Sequence, residues 1–349
     1  MSIPSSFQAA LLPQPGPKHN ITSRSLGSLG ADEVGIKITA TAINPVDWKI
    51  RDSGYFLSEY PAVLGSDAAG EIVAVGSNVS TLSIGDRVLF QGIITQYDSS
   101  TFQQYCKMPA SLVGKTPKSI SDEQAAGVCL ATVAGVTGLY DKTGRGLAAP
   151  WDQGGNQAGS GKSIIVLGGS SSVGQYVIQL ARLSGFDRII TTASLSHEAH
   201  LKSLGAHVVL DRKSAGPQDI VSALNGVRPD FVYDSISLRD TQILGVETLQ
   251  ATGTASCVVT VLGADPEAQS LGSQGPGVEI RQVMGLGSSP NLRYLSEPLM
   301  KALGGEDGWL ATGQFVPNRP VVVGSLDNVD EALNRNRAGV SGEKVVIRP

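Results

Sequence analysis

From Ser163 onward the chain alternates between short apolar runs and stretches with apolar residues at helical spacing. Ser163–Leu167 (SIIVL) is a β-branched apolar run, Gly168–Gly174 is a turn of small residues, and Gln175–Leu183 carries apolar positions three and four apart. That pattern predicts strand, loop and helix. Arg188–Ala193, His207–Leu210, Asp230–Tyr233 and Thr254–Val261 then read as strands, and His197–Leu204, Pro217–Asn225 and Leu238–Gln250 read as the helices between them. Regular β/α alternation predicts an α/β domain built on a doubly wound parallel sheet. Earlier in the chain the texture differs. Gly35–Ile43, Ala69–Val75, Arg87–Phe90 and Gln103–Met108 are short strands between Gly, Asp, Ser and Asn turns, with few long helical patterns before Asp122. This stretch predicts a small β-barrel, and Gly144–Gly161 reads as a flexible loop leading into the strand at Ser163.

The turn after Leu167 has a specific chemistry. A diphosphate can lie against backbone N–H groups at a helix N-terminus only where no side chain blocks it. Gly168, Gly169, Ser170, Ser171, Ser172, Val173 and Gly174 supply such a surface, in a G-x-x-S-x-x-G spacing and not the G-x-G-x-x-G fingerprint. By itself the segment also reads as an ordinary Gly/Ser turn; the β/α alternation that follows favours a dinucleotide half-site.

Composition narrows the classes. At 349 residues the chain is long enough for about two domains. A formal net charge of −4 argues against a nucleic-acid or anionic-membrane partner. No apolar run reaches the ~18 residues of a membrane span, and Met1–Pro17 lacks the pattern of a signal peptide, so a cytoplasmic location is expected. Cys106, Cys129 and Cys257 are few and far apart, which disfavours a disulfide framework or a cysteine-built zinc lobe.

Three strings in the first third carry a resemblance: Ile43–Asn44–Pro45–Val46–Asp47–Trp48–Lys49, the stretch from Leu64 to Gly76 (LGSDAAGEIVAVG), and Gly85–Asp86–Arg87–Val88. With the glycine loop and the closing Gly342–Glu343–Lys344–Val345–Val346–Ile347, the chain resembles the medium-chain dehydrogenase/reductase superfamily. The similarity is to its zinc-independent, quinone-oxidoreductase-like branch, and within it Gly168–Gly174 with the following Ile190–Thr191–Thr192–Ala193–Ser194 looks like fungal trans-enoyl-reductase-like proteins. The resemblance implies a GroES-like β-barrel catalytic domain over 1–127, a Rossmann NADPH-binding domain over 128–285, and a C-terminal return to the catalytic domain over 286–349. In the return, Arg293–Leu303 would be a helix, and Pro320–Val323, Val329–Asn336 and Lys344–Ile347 would complete the catalytic lobe.

In zinc-bearing relatives a Cys stands where this chain has Asn44, and Gly-His-Glu where it has Gly65–Ser66–Asp67. No metal is therefore expected, and reduction of an activated double bond is favoured over alcohol oxidation. NAD-preferring enzymes place an acidic residue about 20 residues past the glycine loop. That position is Ser194, with His197 and Arg212 close enough in sequence to bind a 2′-phosphate, so NADPH is the expected cofactor. Arg212 also reads as a solvated turn residue and His197 as an ordinary helix start.

For catalysis the resemblance points to the amide of Asn44, to Lys49 as part of a proton relay, and to Thr132 beside the carboxamide. Tyr55 is a second proton-donor candidate, and Tyr55 and Trp48 are candidate substrate walls. Asn44–Pro45 also reads as a turn opener, Lys49 as a surface charge, Thr132 as a packing residue and Cys257 as a buried inert thiol. No Ser-His-Asp set or Tyr-x-x-x-Lys pair is recognised. The expected activity is NADPH-dependent hydride transfer to a small enone, enal or quinone. The alternatives are a trans-acting enoyl reductase taking a carrier-tethered chain from a polyketide synthase, and a non-catalytic NADPH-binding protein. A monomer and a homodimer are both compatible with the sequence.

Overall fold

The computed structural model describes residues 3–16 and 18–349; residues 1, 2 and 17 of the Met1–Pro17 segment lie outside that description. The described residues divide into unit 1, from Met1–Leu130 and Gly287–Pro349, and unit 2, Ala131–Leu286.

Unit 1 begins with β1 (Phe7–Leu12) and β2 (Asn20–Arg24), followed by β3 (Glu33–Ala42), α1 (Pro45–Ser53), β4 (Ala62–Val63), β5 (Ala68–Val75), β6 (Arg87–Phe90), β7 (Tyr105–Pro109), β8 (Val113–Lys115) and α2 (Asp122–Ala126). β3 is the hub, antiparallel to β5 and to β7. Its alternate residues Val34, Ile36 and Ile38 point into one core with Ile72, Val88, Phe90, Cys106 and Met108. The strict two-residue period made this strand legible. Each fully buried Val, Ile or Phe contributes roughly 1.5–3 kcal/mol by leaving water.

Helix α1 departs from the expectation of few helices in this stretch. Its inward residues are Asp47, Ile50 and Arg51, so no apolar period marks it. Local chemistry forms it instead: Pro45 opens the first turn, the Asp47 carboxylate accepts the Asn44 N–H at 2.7 Å, and Gly54, at φ +72°, ends it by donating its N–H to the Ile50 carbonyl.

Helix α3 (Cys129–Tyr140) leads into unit 2, which contains β9 (Ser163–Leu167), α4 (Ser172–Leu183), β10 (Arg188–Ala193), α5 (Glu198–Leu204), β11 (Val208–Asp211), α6 (Pro217–Ala223), β12 (Pro229–Asp234), α7 (Arg239–Ala251), β13 (Ser256–Thr260), α8 (Pro266–Gly272) and β14 (Val278–Gln282). All six strands are parallel, in the order β11-β10-β9-β12-β13-β14. Strand order reverses at β9, which leaves a crevice at its carboxyl end. β9 is buried along its whole length, as expected of a strand covered on both faces. The 144–161 segment, expected to be a flexible loop, is folded into consecutive turns: Asp152 N–H donates to Ala149, Gly155 to Asp152 and Gln157 to Gly154.

The chain returns to unit 1 with α9 (Arg293–Leu303), β15 (Arg319–Ser325), α10 (Val329–Arg337) and β16 (Glu343–Arg348). β16 pairs with β15 and, antiparallel, with β3, where Val346 faces Ala42. No helix among the described residues is long and apolar enough to cross a membrane.

Candidate functional site

In unit 2 the chain turns sharply after β9. Gly168 sits at φ +80°, and the N–H groups of Gly168 and Gly169 both donate to the Thr192 carbonyl, at 3.1 and 3.0 Å. Ser171 caps α4: its Oγ accepts the Gly174 N–H at 2.9 Å and donates to Ser235 Oγ at 2.9 Å. The helix begins at Ser172, three residues before the expected start, because this hydroxyl cap initiates it. Ser172 and Val173 open a twelve-residue helix, so their N–H groups have no acceptor four residues back. These donors and the positive end of the helix dipole suit a diphosphate. Ser170 is buried, and its carbonyl accepts the Gln175 side-chain amide at 3.1 Å. A Cβ on Gly174 would lie 2.4 Å from the Gly168 carbonyl oxygen, so the loop tolerates only glycine there. The donor set and the bare backbone fit a dinucleotide.

At the end of β10, the Arg212 N–H donates to the Ala193 carbonyl at 3.0 Å, which brings Arg212 beside Ser194. Ser194 Oγ lies 3.0 Å from Ser196 Oγ, and the His197 N–H donates to the Ser194 carbonyl at 3.0 Å. The Arg212 side chain is exposed and makes no ion pair among the described residues. Three residues separated in sequence are thus brought to one strand end. Asp211 of β11 stands opposite Ala193, and its Oδ1 accepts the Lys213 N–H at 3.1 Å.

Asp234 is a further residue that sequence reasoning missed. Fully buried at the end of β12, it accepts the N–H groups of Ile236 and Ser237 and the Thr241 hydroxyl, at 3.0, 2.8 and 2.7 Å. Burial pushes its carboxyl up to about 6, against those bonds. It fixes the loop whose Ile236 side chain packs on Gly168.

Unit 1 holds a buried polar cluster. Asn44, Asp47, Ser66, Asp67 and Lys344 are all at most 3% exposed. Lys344 Nζ, carried in from β16, donates to Asn44 Oδ1 at 2.5 Å and lies 3.7 Å from Asp67 Oδ2. The other Asp67 oxygen accepts the Leu130 N–H at 3.2 Å, and Ser66 Oγ donates to Asp47 Oδ1 at 2.8 Å. Burial pushes the Asp67 carboxyl up to about 7 and that of Asp47 up to about 6, and lowers Lys344 from the ordinary lysine range; the attraction between Lys344 and the carboxylates opposes all three. The residues here do not fit zinc. The positions of the metal-binding Cys and His in zinc-bearing relatives hold an amide and a hydroxyl, and an ammonium sits among the donors.

Of the other expected catalytic residues, Lys49 is half-buried on α1, its ammonium 5.6 Å from the Trp48 ring centre and its pKa lowered by burial. Trp48, a candidate substrate wall, donates its indole N–H to Asn336 at 3.2 Å and carries the Arg337 guanidinium at 5.7 Å on its ring. Tyr55 is 66% exposed, its ring tilted against Phe56 with ring centres 4.1 Å apart. Thr132 is fully buried in α3. Asn44 immediately precedes α1 and Lys49 lies on it, but the Asn44 amide is held inside the Lys344 cluster. Cys257 is buried near the amino end of β13, whereas the phosphate loop lies at the carboxyl end of β9.

The alcohol dehydrogenase GroES-like domain family matches residues 30–118, and the zinc-binding dehydrogenase family matches residues 172–285. The trans-enoyl reductase himH of Aspergillus japonicus is 31% identical over 326 residues, which cover 90% of this chain and 89% of that protein. The 2-methylene-furan-3-one reductase of Solanum lycopersicum is 31% identical over 327 residues, covering 91% of this chain and 72% of that protein. Among solved structures, the quinone oxidoreductase of Escherichia coli complexed with NADPH superposes with a TM-score of 0.71 at 18% identity, over 98% of this chain and all 100% of that one. Its fold is shared. The chain belongs to the medium-chain dehydrogenase/reductase superfamily, as an oxidoreductase related to the fungal trans-enoyl reductases.

Proposed function

We propose that the protein is an NADPH-dependent reductase, working without a metal, that acts on a carbon–carbon double bond conjugated to a carbonyl or on a quinone. The observation that carries this reading is the end of β10. There Ser194, His197 and Arg212 gather where an NAD-preferring enzyme places a carboxylate, and the exposed Arg212, in no ion pair among the described residues, carries a guanidinium suited to a 2′-phosphate. The names of two relatives support the acceptor class, because enoyl groups and 2-methylene-furan-3-one both carry a C=C bond conjugated to a carbonyl.

When bound, NADPH supplies a hydride. The N–H groups of Ser172 and Val173 would hold the diphosphate, and Ser194, His197 and Arg212 the 2′-phosphate. Thr132 is the proposed contact to the carboxamide. Hydride addition to the β-carbon places negative charge on the carbonyl oxygen, and a proton must then reach the α-carbon. Lys49, whose lowered pKa eases proton release, is the proposed donor, with Tyr55 the second candidate. Asn44 acts in this scheme by holding the start of α1, since its amide is bound by Lys344 and Asp67.

A carrier-tethered enoyl chain is the second reading, favoured by the similarity to himH along 90% of the chain. Initial rates on chelator-treated protein with NADPH and NADH, against enones, enals, quinones and an enoyl pantetheine thioester, test both readings. Turnover at least tenfold faster with NADPH and unaffected by chelator is expected. Activity lost to chelator and restored by zinc would refute the metal-free reading, and a rate confined to the thioester would select the tethered one. Tight NADPH binding with no turnover of any acceptor would leave a binding protein.

A further inference from the structure

The Lys344 side chain occupies an unusual place for a lysine. Its stem packs on Gly127, where a Cβ would come within 2.6 Å of Lys344 Cγ, and its ammonium ends among Asn44, Asp67 and, more distantly, Asp47. Two carboxylates and one ammonium are removed from water together. Such a group is costly to bury unless its charges are balanced in place, and removing one partner leaves the other unpaired. Asn44 is the residue just before α1, and Asp67 holds the N–H of Leu130 in the first turn of α3. One ammonium thus fastens three chain segments within unit 1.

We infer that the Lys344 ammonium is the resident cation of unit 1: it takes the place of the metal of zinc-bearing relatives, offsets the charge of the buried Asp67 and, more distantly, of Asp47, holds Asn44, and closes the cluster to divalent ions. Its work is charge and position, not volume. This role does not depend on which cofactor or acceptor the protein uses.

The test separates charge from packing. Lys344→Met keeps most of the volume and leaves the carboxylates without a counter-charge, so its Tm is expected to fall by roughly 10 °C. Adding Asp67→Asn to Lys344→Met removes one of the stranded carboxylates and should restore at least half of the loss. If Lys344→Met yields no folded protein, recovery of folded protein in the double variant is the same result. In Lys344→Ala, ethylammonium should raise Tm while ethanol at equal concentration does not. The unsubstituted protein should neither take up zinc at the cluster nor gain Tm from it. A Tm of Lys344→Met equal to the unsubstituted protein, a further loss on adding Asp67→Asn, equal effects of ethylammonium and ethanol, or stoichiometric zinc uptake that Asp67→Asn abolishes would each overturn the assignment.

Discussion

Gly169 of the phosphate loop lies so close to Thr191 of β10 that a Cβ on the glycine would stand 2.1 Å from Thr191 Oγ1. Thr191 has nowhere to turn, because it is fully buried and its hydroxyl donates to the Val166 carbonyl at 2.6 Å. The loop and the strand beneath it are therefore a single packed unit. Gly169→Ala should displace the loop and weaken NADPH binding at least tenfold, while Gly169→Ala with Thr191→Ala recovers part of the loss. Isothermal titration measures both. Unchanged affinity in the single variant would show that the loop gives way without cost to the nucleotide site.

Cofactor choice is predicted to reside at the end of β10. Ser194→Asp sets a carboxylate against a 2′-phosphate and should raise the NADPH Kd by more than tenfold while leaving NADH within about threefold. Arg212→Ala should cost NADPH alone, because NADH offers no group for the guanidinium. The ratio of kcat/KM values for the two nucleotides measures each effect; equal losses for both nucleotides would remove Arg212 from phosphate recognition.

Asp234 predicts a pH dependence with a definite sign. Burial raises its carboxyl from the ordinary 3.8 to about 6, so between those values the folded chain keeps a proton that the unfolded chain has released. Its contribution to stability is therefore present below about pH 4, declines as the pH rises toward 6, and is constant above that. Roughly two pKa units correspond to about 3 kcal/mol. Asp234→Asn lacks this loss, so the stability difference between the two proteins should move by about 2–3 kcal/mol in favour of the variant from pH 4 to pH 7. Chemical denaturation at several pH values tests it, and parallel stability curves would contradict the burial argument.

Asp330 on α10 joins two buried side chains, His19 and Arg51. It accepts the His19 N–H at 2.8 Å and His19 Nδ1 at 2.7 Å, and lies 3.8 Å from Nη1 of the fully buried Arg51. Asp330→Ala strands the Arg51 charge inside the protein, a loss of roughly 3 kcal/mol. A clear fall in Tm is expected in thermal unfolding; a shift under about 2 °C would mean that Asp52, 2.8 Å from Arg51 Nε, balances the charge by itself.

Periodicity decided what the sequence could show. β3 was legible because its apolar residues alternate, β9 and β10 because they are short β-branched runs bounded by turn residues, and α9 through the family resemblance. Helix α1 was not, because its buried face is made of Asp47, Ile50 and Arg51, although Pro45 and Asp47 carried the local signal for a helix start. α8 and β14 escaped notice among Gly, Ser and Gln residues, with β14 only partly buried at the sheet edge. At the site, the glycine loop and the exchange of metal-binding positions at Asn44 and Ser66 could be read directly. Lys344 could not. It stood in a closing strand string, and only the pairing of β16 with β3 carries its ammonium to Asn44, 300 residues earlier. The gathering of Arg212 with Ser194 likewise depends on the register of β10 with β11.

Transfer of deuterium from NADPH labelled at C4 of the nicotinamide, with a chelator present and an enone as acceptor, tests the central claim most directly. One deuterium at the β-carbon of a saturated ketone, seen by NMR of the product, is the expected result. Deuterium on the carbonyl carbon of an alcohol, or transfer that appears only when zinc is supplied, would contradict it.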